Sequence, residues 1–394
     1  MYCRKQYRKK DIKVIAMYLP QFHQIPENDE FWGKGFTDWE TVKRAKPIYD
    51  GHQQPRVPLN GNYYDLSKEE NVEWQAKLAH DHGIYGFGVY HYWFNDEKNL
   101  LTRPAEILRD SKIGNVKYFF VWDNNSWVRS WSNVAGNAWA PNAENENDKQ
   151  KGPTVLIQYI LGEETQWEKH YDYLREHFTS KNYEKLDNKP IFCLLSYHPK
   201  MKKMFDFWNM LAKKDGFDGI FFVLMKFKRN ENWDWISKYS YQPHSASIWK
   251  QGNLLERAFK RLLAEVGYKP KPRLRYFDYD KTWQEVLKQT ARDTDKTIIN
   301  GAFVDYDDSP RRGAIKGNVL KGATPEKFKK YFRQLVEITI SQGKDYIFLT
   351  AWNEWGEGAY LEPDERFKYG YLNAVKDVLL NTGLSSTNFV NNEK

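Results

Sequence analysis

The 394 residues include 60 Lys and Arg against 52 Asp and Glu, a formal charge of +8. The basic residues are dispersed and no nucleic-acid motif accompanies them, so the charge excess does not make a nucleic-acid-binding footprint. The two cysteines, Cys3 and Cys193, exclude a disulfide framework or a Cys-based zinc site, and no apolar run approaches a transmembrane helix in length.

The chain opens with a basic tail, MYCRKQYRKK (1–10), and then Val14 to Leu19, a run too short for a signal-peptide core and better read as a strand, which points to a cytoplasmic protein. Short apolar runs follow one another: KVIAMY (13–18), YGFGVY (85–90), VKYFFVW (116–122), PIFCLLS (190–196), GIFFVLM (219–225), YSYQ (239–242), TIINGAFV (297–304) and YIFLTA (346–351). Helical patterns lie between them at 66–82, where Val72, Gln75, Ala76 and Ala79 recur and Gly83 supplies the stop, and near 163–178, 200–214, 281–291, 325–341 and 369–381. This alternation predicts an α/β fold, a (β/α)8 TIM barrel over 11–382 with long insertions after the strands and a C-terminal tail at 383–394.

The largest insertions are 19–64, 123–160 and 245–280, and the stretch 142–152 reads as a mobile loop. In the third, Leu255, Phe259, Leu262, Leu263 and Val266 make an apolar stripe beside basic residues. It fits a helix packed on the barrel, the favoured reading, or a membrane-surface helix giving peripheral membrane association. Nothing in the pattern sets an oligomeric state.

Barrel enzymes place their chemistry at the carboxyl ends of the strands, and polar and aromatic residues gather there. The first strand leads to Tyr18, Gln21 and His23, then Trp32 and Trp39; the second ends in Tyr90, His91, Tyr92 and Trp93; the third in Trp122, Asp123 and Asn124. His244 follows the sixth strand, and Asp307 and Arg311 follow the seventh. After the eighth comes WNEWGEG, with Trp352, Asn353, Glu354, Trp355 and Glu357. In a continuing strand Glu354 and Glu357 would face opposite ways, but Gly356 and Gly358 favour a turn that turns both carboxylates to one pocket. They are the candidate catalytic pair, in a groove expected to be lined by Tyr18, Trp39, Tyr90, Trp93, Trp122 and Trp352.

Each residue alone has a plain alternative: His91 as a satisfied core histidine, the acidic run 305–308 as a solvated loop. Together, carboxylates, amides, imidazoles and indole faces suit a polyhydroxylated ligand, an oligosaccharide or polysaccharide, because hydroxyls need directional partners and sugar C–H faces stack on aromatic rings. The glycines at 83, 86 and 88 precede or lie within a strand and do not open a helix, so a dinucleotide loop is not expected. No Walker lysine motif, HExxH or G-x-S-x-G occurs, and neither cofactor nor metal is expected.

The runs YLPQFHQIPENDEFWGKGFTDWETV, YGFGVYHYWF and TAWNEWGEGAYLEPD resemble the WbsX family of glycosyltransferases from polysaccharide gene clusters, over about residues 11 to 382. That family is similar to glycoside hydrolase family ninety-nine, endo-acting α-mannosidases and mannanases on a (β/α)8 barrel, whose E-W-x-E motif maps onto Glu354 to Glu357. The resemblance implies that Glu354 acts as base toward the sugar 2-hydroxyl, which forms an anhydro intermediate, and that Glu357 protonates the leaving oxygen. Two departures stand out. Position 356 is glycine where the mannosidases usually carry histidine, and WDNNSW (122–127) has Asp123 for the alanine of a WANENW-like pattern and lacks its glutamate. A glycoside hydrolase is the leading expectation, with a glycosyltransferase of cell-surface polysaccharide synthesis or a non-catalytic sugar-binding barrel as alternatives.

Overall fold

Runs rich in β-branched and aromatic residues become strands where both faces can be buried, and eight such runs here pair side by side. The computed structural model describes residues 12–112, 116–128, 155–227, 233, 235–246 and 274–388. The strands are β1 (Lys13–Tyr18), β2 (Gly86–Asn95), β3 (Lys117–Trp122), β4 (Lys189–Leu194), β5 (Phe221–Leu224), β6 (Ser237–Tyr239), β7 (Ile298–Phe303) and β8 (Tyr346–Thr350). Each pairs in parallel with the next, and β8 returns to β1 through Lys13↔Tyr346 to Ala16↔Leu349, closing the barrel.

The helices are α1 (Pro26–Trp32) and α2 (Asp38–Arg44) in the first insertion, α3 (Glu69–Asp81), α4 (Arg103–Asp110), α5 (Glu164–Phe178), α6 (Met201–Lys214), α7 (Tyr279–Arg292), α8 (Ser309–Lys316), α9 (Pro325–Ser341) and α10 (Gly370–Asn388). Their starts carry local signals. Glu163 and Gln166 form a capping box on α5, the Asp278 side chain accepts from Lys281 N–H on α7, and Thr324 accepts from Lys327 N–H on α9.

Several elements differ from the sequence reading, among them the short helices α1, α2 and α8, which the pattern did not mark. Strand β2 continues to Asn95 and turns into a hairpin with residues 98–100, pairing Tyr92 with Leu100. Strand β6 lies earlier, at Ser237–Tyr239, because residues 242–245 already form a turn at Pro243, which has no N–H to offer a ladder. Helix α4, unmarked by the pattern reading, buries Pro104, Ala105, Ile107 and Leu108. The loop 142–152 and the apolar stripe 255–266 lie outside the described residues. Among the described residues, no helix is long and apolar enough to cross a membrane.

Inside the barrel, Phe348 of β8 meets Phe119 of β3 at 5.2 Å and Tyr239 of β6 at 5.1 Å between ring centroids. Elsewhere in the sheet, close packing depends on a small residue. A Cβ on Gly88 would stand 2.8 Å from Met17 Sδ and 3.1 Å from Val121 Cγ2, so this glycine serves close strand packing. Because Phe348 is fully buried, Phe348→Ala is expected to lower stability by about 3–5 kcal/mol through lost transfer energy and a residual cavity. A chemical-denaturation midpoint unchanged from the parent would contradict this.

Candidate active site

Strand β8 stops at Thr350, and the chain turns over the mouth of the barrel as a short hairpin. Asn353 and Glu354 pair antiparallel with Tyr360 and Ala359, and a 3-10 turn (Trp355–Glu357) forms the tip. Gly358 closes that turn at φ 59°, in the left-handed region where glycine costs least. The hairpin thus escapes strand alternation, and both glutamates reach one side.

Three latches hold it. Leu19 N–H donates to Asn353 Oδ1 at 2.7 Å, and Asn353 Nδ2 donates to Leu19 O at 3.0 Å, tying the hairpin to the end of β1. Asp307 N–H donates to Glu357 O at 2.6 Å, and Arg56 donates to Gly358 O at 3.0 Å. Beneath the tip, Glu362 accepts from Trp355 Nε1, the Tyr64 hydroxyl and Gln75 Nε2, each at 2.7 Å. Burial pushes the Glu362 carboxyl up to about 7 even with these donors.

Arg311 of α8 reaches both glutamates. Its Nη1 donates to Glu357 Oε1 at 2.9 Å, and its Nη2 approaches Glu354 Oε2 at 3.2 Å and Asp38 Oδ2 at 2.9 Å. Burial pushes the Glu354 carboxyl up to about 8; Arg311 pulls against this, and Glu357 and Asp38 add to it. Burial also opposes charge on Glu357, but Arg311, His244, Arg312 and a Tyr306 hydrogen bond outweigh it and hold this carboxyl below its ordinary value. The two carboxyls are thus shifted in opposite directions, the division a site needs to supply an acid and a base together.

The glutamates open onto a cleft with about 920 Å³ of empty space, lined by Leu19, Gln21, Trp32, Tyr90, Tyr92, Asp123, Ser126, Trp127, Val128, Leu195, Tyr241 and Arg311. His244 stands beside it, stacked on Tyr241 at 4.9 Å and edge-on to Tyr306. Burial pushes the His244 imidazole down to about 4, although Glu357 draws it up. Among the described residues, no group of three or more His, Cys, Asp or Glu is placed to hold a metal ion.

Several expected groove residues are elsewhere, and strand alternation is the main reason. On β2, Tyr90 and Tyr92 face the cleft, while His91 and Trp93 face α5: His91 Nε2 lies 2.8 Å from His170 Nε2, and Trp93 stacks on His170 at 4.2 Å. Trp93 and Trp122 line a separate cleft of about 930 Å³ with His170 and Trp167. Tyr18 turns toward α3, where its hydroxyl donates to Gln75. Trp352 is buried against Phe87. Trp39 donates to Tyr64 O and packs on Trp355, which itself stacks on Tyr360 at 3.7 Å.

The polar residues away from the cleft serve as braces. Asn124 exchanges hydrogen bonds with the Ser196 backbone. Asp307 accepts from Gln54 and Ser309 N–H, pairs with His52, and is held down to about 2 by these and Arg56 against its burial. His23 is buried, and that burial lowers its pKa. The sequence reading set Asp38, Tyr92 and Trp127 at the strand ends without counting them as binding residues, and it did not count Tyr241 or Tyr306 there; the alternation from Tyr90 would have picked out Tyr92, but no local signal marks Asp38 as a partner of Arg311.

The buried histidines on this flank carry a pH signature. Burial lowers His91 and His170 well below the usual value and pushes His177, paired with the Tyr118 hydroxyl at 2.7 Å, from 6.5 down to about 3. Between those two values the unfolded chain binds more protons, so the contribution of His177 is full above pH 6.5 and is lost as pH falls toward 3. In that window the unfolding free energy of His177→Gln is expected to fall less steeply than the parent's, by up to about 1.4 kcal/mol per pH unit. Carboxylates common to both proteins cancel in the difference, and parallel slopes would refute the assignment.

Comparison with known proteins adds the following. The profile of a family described as Glycosyltransferase WbsX matches residues 14–375. An uncharacterized protein WxcX of Xanthomonas campestris pv. campestris strain B100 is 28% identical over 377 residues, covering 93% of this chain and 49% of that protein. Its counterpart in strain ATCC 33913 is 27% identical over 379 residues with the same coverage. The chain thus spans about half the length of the curated relatives it matches. Among solved structures, the GH99 endo-alpha-mannosidase from Bacteroides thetaiotaomicron superposes with a TM-score of 0.54 at 13% identity, over 95% of this chain and 98% of that one. A glycoside hydrolase-like protein gives 0.53 at 13% identity, over 94% of each chain. At such identities the likeness is one of fold.

Proposed function

The chain belongs to the WbsX glycosyltransferase family, and from that premise we propose that it is a carbohydrate-active enzyme of glycoside-hydrolase type that cleaves an oligosaccharide or polysaccharide with Glu354 and Glu357. The barrel expected over 11–382 is its catalytic domain. One observation carries this reading: two carboxylates share a single guanidinium in an open cleft walled by Gln21, Asp123 and aromatic rings. Carboxyl pairs flanking a glycosidic bond are the usual means of cleaving it. An open cleft suits endo action on a chain.

In the proposed retaining route, the sugar O2 attacks the anomeric carbon while one carboxylate takes the O2 proton. The bond to the leaving oxygen breaks, and that oxygen takes the proton of the other carboxyl. Water or an acceptor alcohol then opens the anhydro ring, gives its proton to the carboxylate just emptied, and O2 recovers its own. No glutamate is glycosylated. Tyr90, Tyr92, Trp32 and Trp127 stand where ring faces would hold the sugar in the required distortion.

The family description favours a second reading, a glycosyltransferase using a nucleotide-sugar donor. Such a donor brings a diphosphate, and Arg311, the one cation among the described residues lining the cleft, is already held by three carboxylates. That tips the balance toward a glycoside substrate.

Glu354→Gln and Glu357→Gln are each expected to lower activity by about 10²–10⁴-fold, the worth of a general acid or base, with the circular dichroism spectrum unchanged. A panel of oligosaccharides and nucleotide sugars supplies the assay. A 2-deoxy or 2-O-methyl analogue of the accepted glycan is expected to bind without reacting. Its brisk turnover, or a glycosyl ester trapped on either glutamate, would reject the O2 route, and turnover confined to nucleotide sugars would move the chain to the transferase reading.

A further inference from the structure

Gly356 stands between the two glutamates, yet unlike Gly358 its backbone is not in the left-handed region. The turn itself does not call for glycine there; space does. A Cβ at 356 would stand 2.6 Å from Arg311 Nε and 2.7 Å from Asp38 Oδ2. Arg311 Nε is buried and without a hydrogen-bond partner, so the guanidinium edge lies against the bare Cα of the glycine. Any larger residue would displace the guanidinium or its brace.

The guanidinium does not treat the two glutamates alike. Nη1 reaches Glu357 at 2.9 Å, whereas Nη2 divides between Asp38 at 2.9 Å and Glu354 at 3.2 Å. The Glu357 side chain is also more open, 20% exposed against 8% for Glu354. A carboxylate with its own charged donor and access to water keeps its charge more easily than a buried one sharing a donor with a rival anion.

We propose that Arg311, admitted by the absent side chain of Gly356 and braced by Asp38, is the positioning residue that divides the pair, keeping Glu357 as the anion and leaving the proton on Glu354. The surroundings agree. Glu354 faces Asp38, Glu357 and the hydroxyls of Tyr90, Tyr92 and Tyr241 besides Arg311. Glu357 faces Arg312, His244, Tyr306 and Asp308, as well as Tyr90 and Tyr241. The directions of the two carboxyl shifts, up for Glu354 and down for Glu357, follow the same division.

For the glycoside cleavage proposed above, which this inference deepens, the resting enzyme offers Glu357 as base and Glu354 as acid. That order is the reverse of the one the sequence resemblance implies. It also gives the glycine at 356 a positive role, since a histidine there would occupy the place of the guanidinium.

The test needs no sugar, so it stands or falls apart from the glycosidase reading. Infrared titration of the unliganded protein labelled with [13C]glutamate follows the C=O band of protonated carboxyls. Beside the band of buried Glu362, near pH 7 and kept in both variants, the parent is expected to show a second band titrating near pH 8 that is lost in Glu354→Gln and is kept, at lower pH, in Glu357→Gln. In Arg311→Gln and equally in Gly356→Ala, where the charge remains but is pushed aside, the Glu357 carboxyl is expected to titrate about one to three pH units higher. Arg311→Lys is expected to restore part of that shift. The proposal is overturned if the second band survives Glu354→Gln and vanishes in Glu357→Gln, or if Gly356→Ala and Arg311→Gln leave Glu357 titrating as in the parent. The first comparison leaves Arg311 and Gly356 untouched, so it decides the proton's place even if the other variants fail to fold.

Discussion

A closed parallel sheet gives each side chain two directions, toward the barrel axis or toward the helices outside, and successive residues must take them in turn. Much of this molecule follows from that constraint. On β2 it sends Tyr90 and Tyr92 to the cleft and His91 and Trp93 to α5. It places Trp122 against His170 and Trp208, while the next residue, Asp123, lines the cleft. Aromatic content that reads as a sugar platform is therefore divided, part of it forming walls and part of it packing the layer between barrel and helices.

The catalytic candidates lie where alternation ends. Beyond Thr350 the hairpin carries Glu354 and Glu357 on a turn, and its position depends on partners remote in sequence: Leu19 through Asn353, Arg56 through Gly358, and Asp307 through Glu357. Buried carboxylates of this kind are costly unless donors meet them. Glu362 finds three neutral donors, and Glu354 and Glu357 find one guanidinium between them. Shared charge on a rigid hairpin is a suitable setting for acid–base work, because neither group has to be reorganised at the moment of reaction.

Family membership and fold point the same way without naming a sugar. The WbsX match covers residues 14–375, and the fold is shared with structures that include a GH99 endo-alpha-mannosidase. Within that frame, the cleft of this chain has Asp123 and Ser126 in the wall after β3 and the Asp38–Arg311 pair beside Gly356.

Local chemistry made most of the barrel legible. Eight apolar runs separated by helical periodicity could bury their faces in few other ways, and the pattern near 325–341 coincides with α9. The glycines of WNEWGEG likewise announced a turn bringing two carboxylates to one side. The alternation within YHYW was equally open to reading, since it depends only on a period of two. What remained hidden were contacts between distant segments. Asp38 and Arg311 are 273 positions apart, and nothing in the neighbourhood of either names the other. Nor does the sequence reveal that Gly356 is small to make room for them, because a glycine required by its own backbone and one required by a neighbour's side chain look the same until the chain has folded.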